Sequence, residues 1–326
     1  MKKLFATVLL SISAASAFAG TYGSQSVLVV EDDTGKVLIE KNANAIVPIA
    51  SLTKLMTAMV VLDAKQDMDA PISIDKVDVD MLKHSTSRVP VGATISRRDV
   101  LQLALMSSDN RAAASLGRTY PGGTEAFKAA VKAKIAALGM TQTSIEEPTG
   151  LSPNNKSTAS DLVKMAVAAS AYPEITRITT DSKDIINING RGVEYHNTNR
   201  FVGAKGWDIG LSKTGYTQEA GRCLIMRIKA AGKNATLVLL NARASSVRAF
   251  DALSIRRFMA GDSEPVVARA HPRADAHMMK VSLRTRGARH VKARHLEAAR
   301  PKWDALMAEW RAGPLALSAQ ALEARL

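Results

Sequence analysis

The chain has 326 residues, 46% of them hydrophobic, enough to bury a sizeable core in one large or two ordinary domains. Its formal net charge of +14 and pI near 9.9 favour polyanionic surroundings, but aromatics at 4% are too sparse for a surface that stacks nucleic-acid bases. A single cysteine, Cys223, excludes an internal disulfide, so stability rests on packing.

Met1-Lys2-Lys3 precedes an apolar run from Leu4 to Ala15 and the small-residue stretch Ala17-Phe18-Ala19, the pattern of an export signal cleaved near Gly20. The run falls short of the roughly 20 residues a bilayer core needs, so residues 1–19 read as a signal peptide and not as an anchor. Residues 26–31 alternate around β-branched side chains, Asp33-Thr34-Gly35 supplies a turn, and residues 36–40 resume the pattern, predicting a hairpin. From residue 51 to about 63, Leu55, Met59 and Leu62 share one helical face. Ser96 and Asp99 resemble a capping box before Val100, Leu101, Ala104 and Leu105, and Thr158 and Asp161 repeat it before Leu162, Val163 and Ala166. The middle third therefore reads as helical. Strand texture returns after Asn197 over 206–213, 221–229 and 235–241, the last two separated by a turn around Gly232-Lys233-Asn234; a final helix spans about 246–259. Cys223, within a strand, reads as a small buried hydrophobe. Strands, then helices, then strands predict a mixed α+β fold whose sheet is assembled from both ends around a helical insertion.

Residues 261–326 differ: they hold 12 Lys and Arg against 7 Asp and Glu, and four of the six histidines. Only Trp303, Leu306, Met307 and Trp310 suggest an apolar helical face, between Pro301 and Pro314. The chain thus divides into a signal at 1–19, a folded domain at 20–262 and a basic tail at 263–326, suited to peripheral contact with an anionic wall or membrane surface.

Three short motifs carry the chemistry. In Ser51-Leu52-Thr53-Lys54 the serine is a weak nucleophile until a group takes its proton. If Ser51 begins a helix, Lys54 shares its face, and the helix N-terminus adds positive partial charge and unpaired N–H groups. Burial near Lys213 would depress the Lys54 pKa and let a neutral amine act as general base. Ser73-Ile74-Asp75-Lys76 has the same spacing but no apolar helix after it, and reads as a surface coincidence. Ser108-Asp109-Asn110 lies between two apolar helical runs; alone it would be an ordinary helix cap. Within a site, Ser108 relays a proton to a leaving amine and Asn110 fixes Lys54 or a substrate amide, with no role for Asp109. In Lys213-Thr214-Gly215, Lys213 supplies fixed positive charge, Thr214 a hydroxyl for a substrate carboxylate, and Gly215 room for an acyl chain. The N–H groups of Ser51 and Tyr216 would form an oxyanion hole.

These motifs occur in this order with Pro48-Ile49-Ala50-Ser51, Ala104-Leu105-Met106-Ser107-Ser108, Tyr120-Pro121-Gly122-Gly123, Glu147-Pro148-Thr149-Gly150-Leu151-Ser152 and Asn197-Thr198-Asn199. On these residues the chain resembles the low-molecular-mass penicillin-binding proteins of serine peptidase family S11, the endopeptidase branch above all, over roughly residues 24–261. The resemblance implies an antiparallel sheet flanked by helices, of the β-lactamase/transpeptidase-like kind. It also implies an acyl-enzyme on Ser51, peptidoglycan as substrate in the periplasm, and β-lactams as covalent inhibitors. No metal, organic cofactor or nucleic-acid partner is implied. Arg248 resembles a family arginine that faces the substrate carboxylate; its alternative is a solvated charge at a helix start. Asp109 stands where relatives often have glycine or glutamate, and the tail is too short and too basic to match the β-rich second domain and membrane helix of carboxypeptidase relatives. Three alternatives stay open: a D,D-carboxypeptidase, a catalytically silent wall-binding or β-lactam-sensing module, and, less favoured, a class A β-lactamase. For the last, Glu146 and Glu147 lack the surrounding pattern of a deacylating glutamate.

Overall fold

The computed structural model describes residues 22–262, so the signal-peptide and basic-tail expectations lie outside the described residues. The expected first hairpin is β1 (Ser24–Glu31) and β2 (Val37–Lys41). A short β3 (Val47–Pro48) and a 3-10 turn at Ala50–Leu52 lead into α1 (Thr53–Asp63). Then follow β4 (Pro71–Ser73), β5 (Thr94–Ser96), α2 (Arg97–Leu105), α3 (Asn110–Arg118) and α4 (Gly123–Ala137). The short β6 (Lys156–Ser157), α5 (Ala159–Ala169) and α6 (Pro173–Thr180) precede a hairpin, β7 (Lys183–Ile188) and β8 (Arg191–His196). The last elements are β9 (Asp208–Thr217), β10 (Gly221–Ala230), β11 (Lys233–Ala242) and α7 (Ser245–Ala260). Both capping serine/threonine residues act as expected: Ser96 Oγ accepts the Asp99 N–H at 3.1 Å, and Thr158 Oγ1 accepts that of Asp161 at 3.1 Å.

The main sheet has the order β2-β1-β11-β10-β9, every neighbour antiparallel. The two ends of the fold meet where β1 pairs β11, Val27 opposite Leu239. Alternation along the strands buries both faces. Val27, Val29, Leu224, Met226, Leu237 and Leu239 pack with Ala252 and Ile255 of α7. Leu28, Val30, Ile225, Val238 and Leu240 join the larger core built on α1 and α5. A fold of helices, antiparallel sheet and one further helix results, as the order of sequence textures predicts.

Two expectations change. First, α1 does not present one apolar face: every residue from Thr53 to Val61 is buried, because α2 to α6 surround it. A helix buried all round belongs in a core, and α1, with Lys54 its one buried charge-bearing side chain, is the axle of the helical layer. Second, the middle third is not wholly helical. The β7–β8 hairpin lies within it, turning at Asn189 and Gly190 with φ of 52° and 80°, the left-handed pair that a tight hairpin turn requires. For the chemistry, the decisive placement is β9, which ends the sheet order and lies against the Ala50–Leu52 turn at the start of α1.

Candidate active site

The turn carrying Ser51 is tightly held. Ala50 adopts φ +47°, a left-handed conformation that costs a non-glycine residue about 1–3 kcal/mol and persists only under strong local constraint. Two glycines supply that constraint. At Gly150, with φ +86°, a β-carbon would lie 2.0 Å from the Ala50 carbonyl oxygen and 2.8 Å from the Ser51 nitrogen. At Gly215 it would lie 3.1 Å from Ala50 Cβ, the Ile49 oxygen and the Ser51 nitrogen. The room that Gly215 gives is therefore taken by the backbone of residues 49–51, and not by an acyl chain as expected from the tripeptide alone.

One turn on, Lys54 is buried, and its Nζ contacts three oxygens: Ser51 Oγ at 2.8 Å, Asn110 Oδ1 at 2.7 Å and the Thr149 carbonyl at 2.6 Å. Burial pulls its pKa down to about 8, against the opposing pull of the Glu147, Asp109 and Asp80 carboxylates. Neutral amine is thus present near neutral pH, in hydrogen-bond contact with the serine hydroxyl. The amide of Asn110 is oriented from behind, since its Nδ2 donates to Ser85 Oγ at 2.8 Å and leaves Oδ1 facing Lys54.

Ser108 holds a left-handed φ of +60°, and its Oγ accepts from Lys213 Nζ at 2.8 Å. Lys213 is equally buried, and its only other hydrogen bond among the described residues is to the Thr214 carbonyl at 3.0 Å. Burial, then the positive charges of Lys54 and Arg248, hold its pKa well below the usual lysine value. Burial and the Lys54 and Arg248 charges thus work against the fixed positive charge expected of Lys213. Asp109, left without a role, is the cap of α3, accepting the Ala112 N–H at 2.9 Å and the Ser87 hydroxyl at 2.7 Å. The helix-cap reading of this motif holds for its central residue, while its two neighbours each meet a buried lysine.

On β9, Thr214 Oγ1 donates to Thr198 Oγ1 at 2.7 Å, and the Thr198 N–H donates to the Met106 carbonyl at 3.2 Å, tying the strand to the loop before α3. Tyr216 is half exposed, with the Arg222 guanidinium 3.4 Å above its ring. Arg248, in the first turn of α7, donates to the Cys223 carbonyl at 2.9 Å and is half-buried, which lowers its pKa. Arg248 is therefore tied to β10 rather than freely solvated. Cys223 itself is buried in β10, its thiol pushed up to about 11 by burial, as a packing residue should be.

Ser51, Lys54 and Asn110 thus form one contact chain and Ser108 and Lys213 a second, with Thr214, Gly215 and Tyr216 along the strand beside them. The second serine–lysine pair stays apart: Ser73 and Lys76 are exposed, separated by an Asp75 that caps a 3-10 turn. Sequence reasoning missed Thr149, which acts through its carbonyl, Ser85, in a stretch without periodicity, and Thr198. It weighed Glu147 only as a hydrolytic base; the segment containing it was legible as a motif, not as a contact.

Residues 13–244 match the peptidase S11 family, described as D-alanyl-D-alanine carboxypeptidase. A D-alanyl-D-alanine endopeptidase of Pseudomonas aeruginosa is 43% identical over 267 residues, covering 78% of this chain and 86% of the relative. One of Escherichia coli is 42% identical over 250 residues, covering 76% and 81%. Among solved structures, penicillin-binding protein D2 of Listeria monocytogenes in its ampicillin-bound form superposes with a TM-score of 0.63 at 28% identity, covering 73% of this chain and 97% of that one.

Proposed function

The chain belongs to the S11 family of serine peptidases, and on that premise we propose that it is a D,D-endopeptidase that hydrolyses D-alanyl cross-links of peptidoglycan through an acyl-serine intermediate. The observation that carries the reading is the 2.8 Å contact between Ser51 Oγ and the buried Lys54 amine. Ser51 attacks the D-alanyl carbonyl carbon while its proton passes to neutral Lys54. The oxyanion faces the N–H groups of Ser51 and Tyr216, and Thr214 and Arg248 meet the carboxylate beyond the scissile bond. Collapse breaks the C–N bond, and the proton taken up by Lys54 passes through Ser108, which Lys213 positions, to the leaving amine, so that Lys54 is neutral again. Water then attacks the ester, its proton passing to Lys54 and from there to Ser51 Oγ as the C–O bond breaks, and the D-alanyl carboxylate leaves.

β-Lactams acylate the same serine as substrate mimics, in keeping with the ampicillin-bound form of the Listeria relative. The signal-like residues 1–19 and wall-acting relatives support export to the periplasm. There the basic tail, 263–326, contacts the anionic wall or membrane surface, so deleting it should lower retention on isolated walls at low salt without changing penicillin labelling. Incubation with purified cross-linked and uncross-linked muropeptides, followed by mass analysis, tests the central reading. Loss of cross-linked dimers supports it. Release of terminal D-alanine alone makes the protein a carboxypeptidase, and no product from either makes it a binding module.

A further inference from the structure

We propose that Glu147 is a positioning residue for the acyl-serine reaction, its carboxylate clamping the 147–155 loop so that the Thr149 carbonyl and Gly150 hold Lys54 and the Ser51 turn in register. This rests on the reading of Lys54 as the base. Both carboxylate oxygens are occupied. Oε2 accepts the Thr149 N–H at 2.7 Å and the Thr149 hydroxyl at 2.6 Å. Oε1 accepts the N–H groups of Gly150 at 2.7 Å and Ser152 at 3.2 Å, and Asn155 Nδ2 at 3.0 Å. Five donors meet the roughly four lone-pair sites a carboxylate offers, so Glu147 has no capacity left to activate a water. It is a scaffold anion and not the deacylating base of a β-lactamase.

What it scaffolds is the base of α1. The Pro148 carbonyl accepts from Thr57 Oγ1 at 2.8 Å, the Thr149 carbonyl from Lys54 Nζ at 2.6 Å, and Gly150 lies against Ala50 and Ser51. Asn155, bound to the same carboxylate, also reaches Thr53 Oγ1 at 3.2 Å and accepts the Ile49 N–H on its carbonyl at 3.0 Å. One side chain therefore braces residues 49–57 from one side while β9 closes from another. It also adds charge: of the carboxylates around Lys54, Glu147 opposes the burial effect most, ahead of Asp109 and Asp80.

The test is the pH dependence of the second-order acylation rate with a fluorescent penicillin, on protein shown to be folded by its melting curve. Glu147→Gln keeps one acceptor oxygen and removes the charge. Its plateau rate should fall by about tenfold to a hundredfold, as expected when a reacting pair is displaced. Because an anion that favours the ammonium has gone, the acid limb should also move to lower pH, by about one unit. Glu147→Asp keeps the charge but withdraws it from the loop, so its rate should fall with the acid limb unmoved. An acid limb in Glu147→Gln that coincides with the parent's overturns the proposal even if the rate drops, since a purely structural brace would do no more. Should Gln prevent folding, Glu147→Asp decides alone, and a parental rate in it refutes the clamp. Lys54→Ala, run in parallel, keeps the two ideas apart: acylation at the parental rate there refutes the base assignment itself.

Discussion

Two segments of this protein carry a serine and a lysine at the same spacing, and they differ in almost everything else. Ser51 and Lys54 sit where a strained turn enters a helix buried on all sides, with the amine held by three oxygens. Ser73 and Lys76 sit at an exposed strand end and a capped 3-10 turn. Spacing alone puts a lysine near a serine; burial makes it a base, and the three oxygens fix where its amine sits. The contrast shows why an apolar helix following the motif discriminates better than the motif. That helix sinks the lysine into the core, and the core lowers its pKa.

The largest test of that contrast is the pair Ser51→Ala and Ser73→Ala. The first should abolish both peptide hydrolysis and penicillin labelling, and the second should leave both at parental levels, as read by gel fluorescence and product analysis. Next come the lysines. Lys54→Ala should slow acylation by about 10²–10⁴-fold, the usual worth of a positioned base, whereas Lys76→Ala should be silent. In the parent protein the acylation rate should climb as pH rises through about 8, because the reactive form of Lys54 is the deprotonated one. A rate flat across that range would remove Lys54 from the role.

Smaller effects probe the walls of the turn. Gly150→Ala puts a β-carbon on the Ala50 carbonyl at a left-handed φ, and should cost about 2–4 kcal/mol of stability, measured by denaturant unfolding, with a matching loss of acylation. Arg248→Ala should be the mildest at the site, reducing cleavage of substrates with a free carboxylate by about tenfold while sparing penicillin acylation, consistent with one lost charge-assisted hydrogen bond. Equal losses on both would make Arg248 a brace for β10 through the Cys223 carbonyl.

What was legible in the sequence follows the same division between pattern and environment. The sheet was readable from both ends because its strands are β-branched, apolar runs bounded by turns, and the caps at Ser96 and Thr158 because side chain and position coincide. The β7–β8 hairpin was equally signalled, by Asn189-Gly190 between isoleucine-rich and Val193-Tyr195 flanks, but helical neighbours obscured it. The Lys54–Ser51–Asn110 contact was implicit in the motifs. The Thr149 carbonyl was not, since a backbone oxygen leaves no trace in residue type, and neither was the clamping by Glu147, which depends on five donors brought together only by the loop's path. For Lys213, residue type gave the amine, while the burial and the neighbouring Lys54 that work against its charge leave no trace in the local sequence.

The central claim, that burial of one serine–lysine pair creates the nucleophile, is tested most directly by locating the covalent adduct. After incubation of the intact protein with penicillin, proteolytic peptides should show a single acyl adduct, on the peptide containing Ser51, and fragmentation should assign it to that residue. An adduct on Ser73, on Ser108 or on any other hydroxyl, with Ser51 unmodified, would contradict the account.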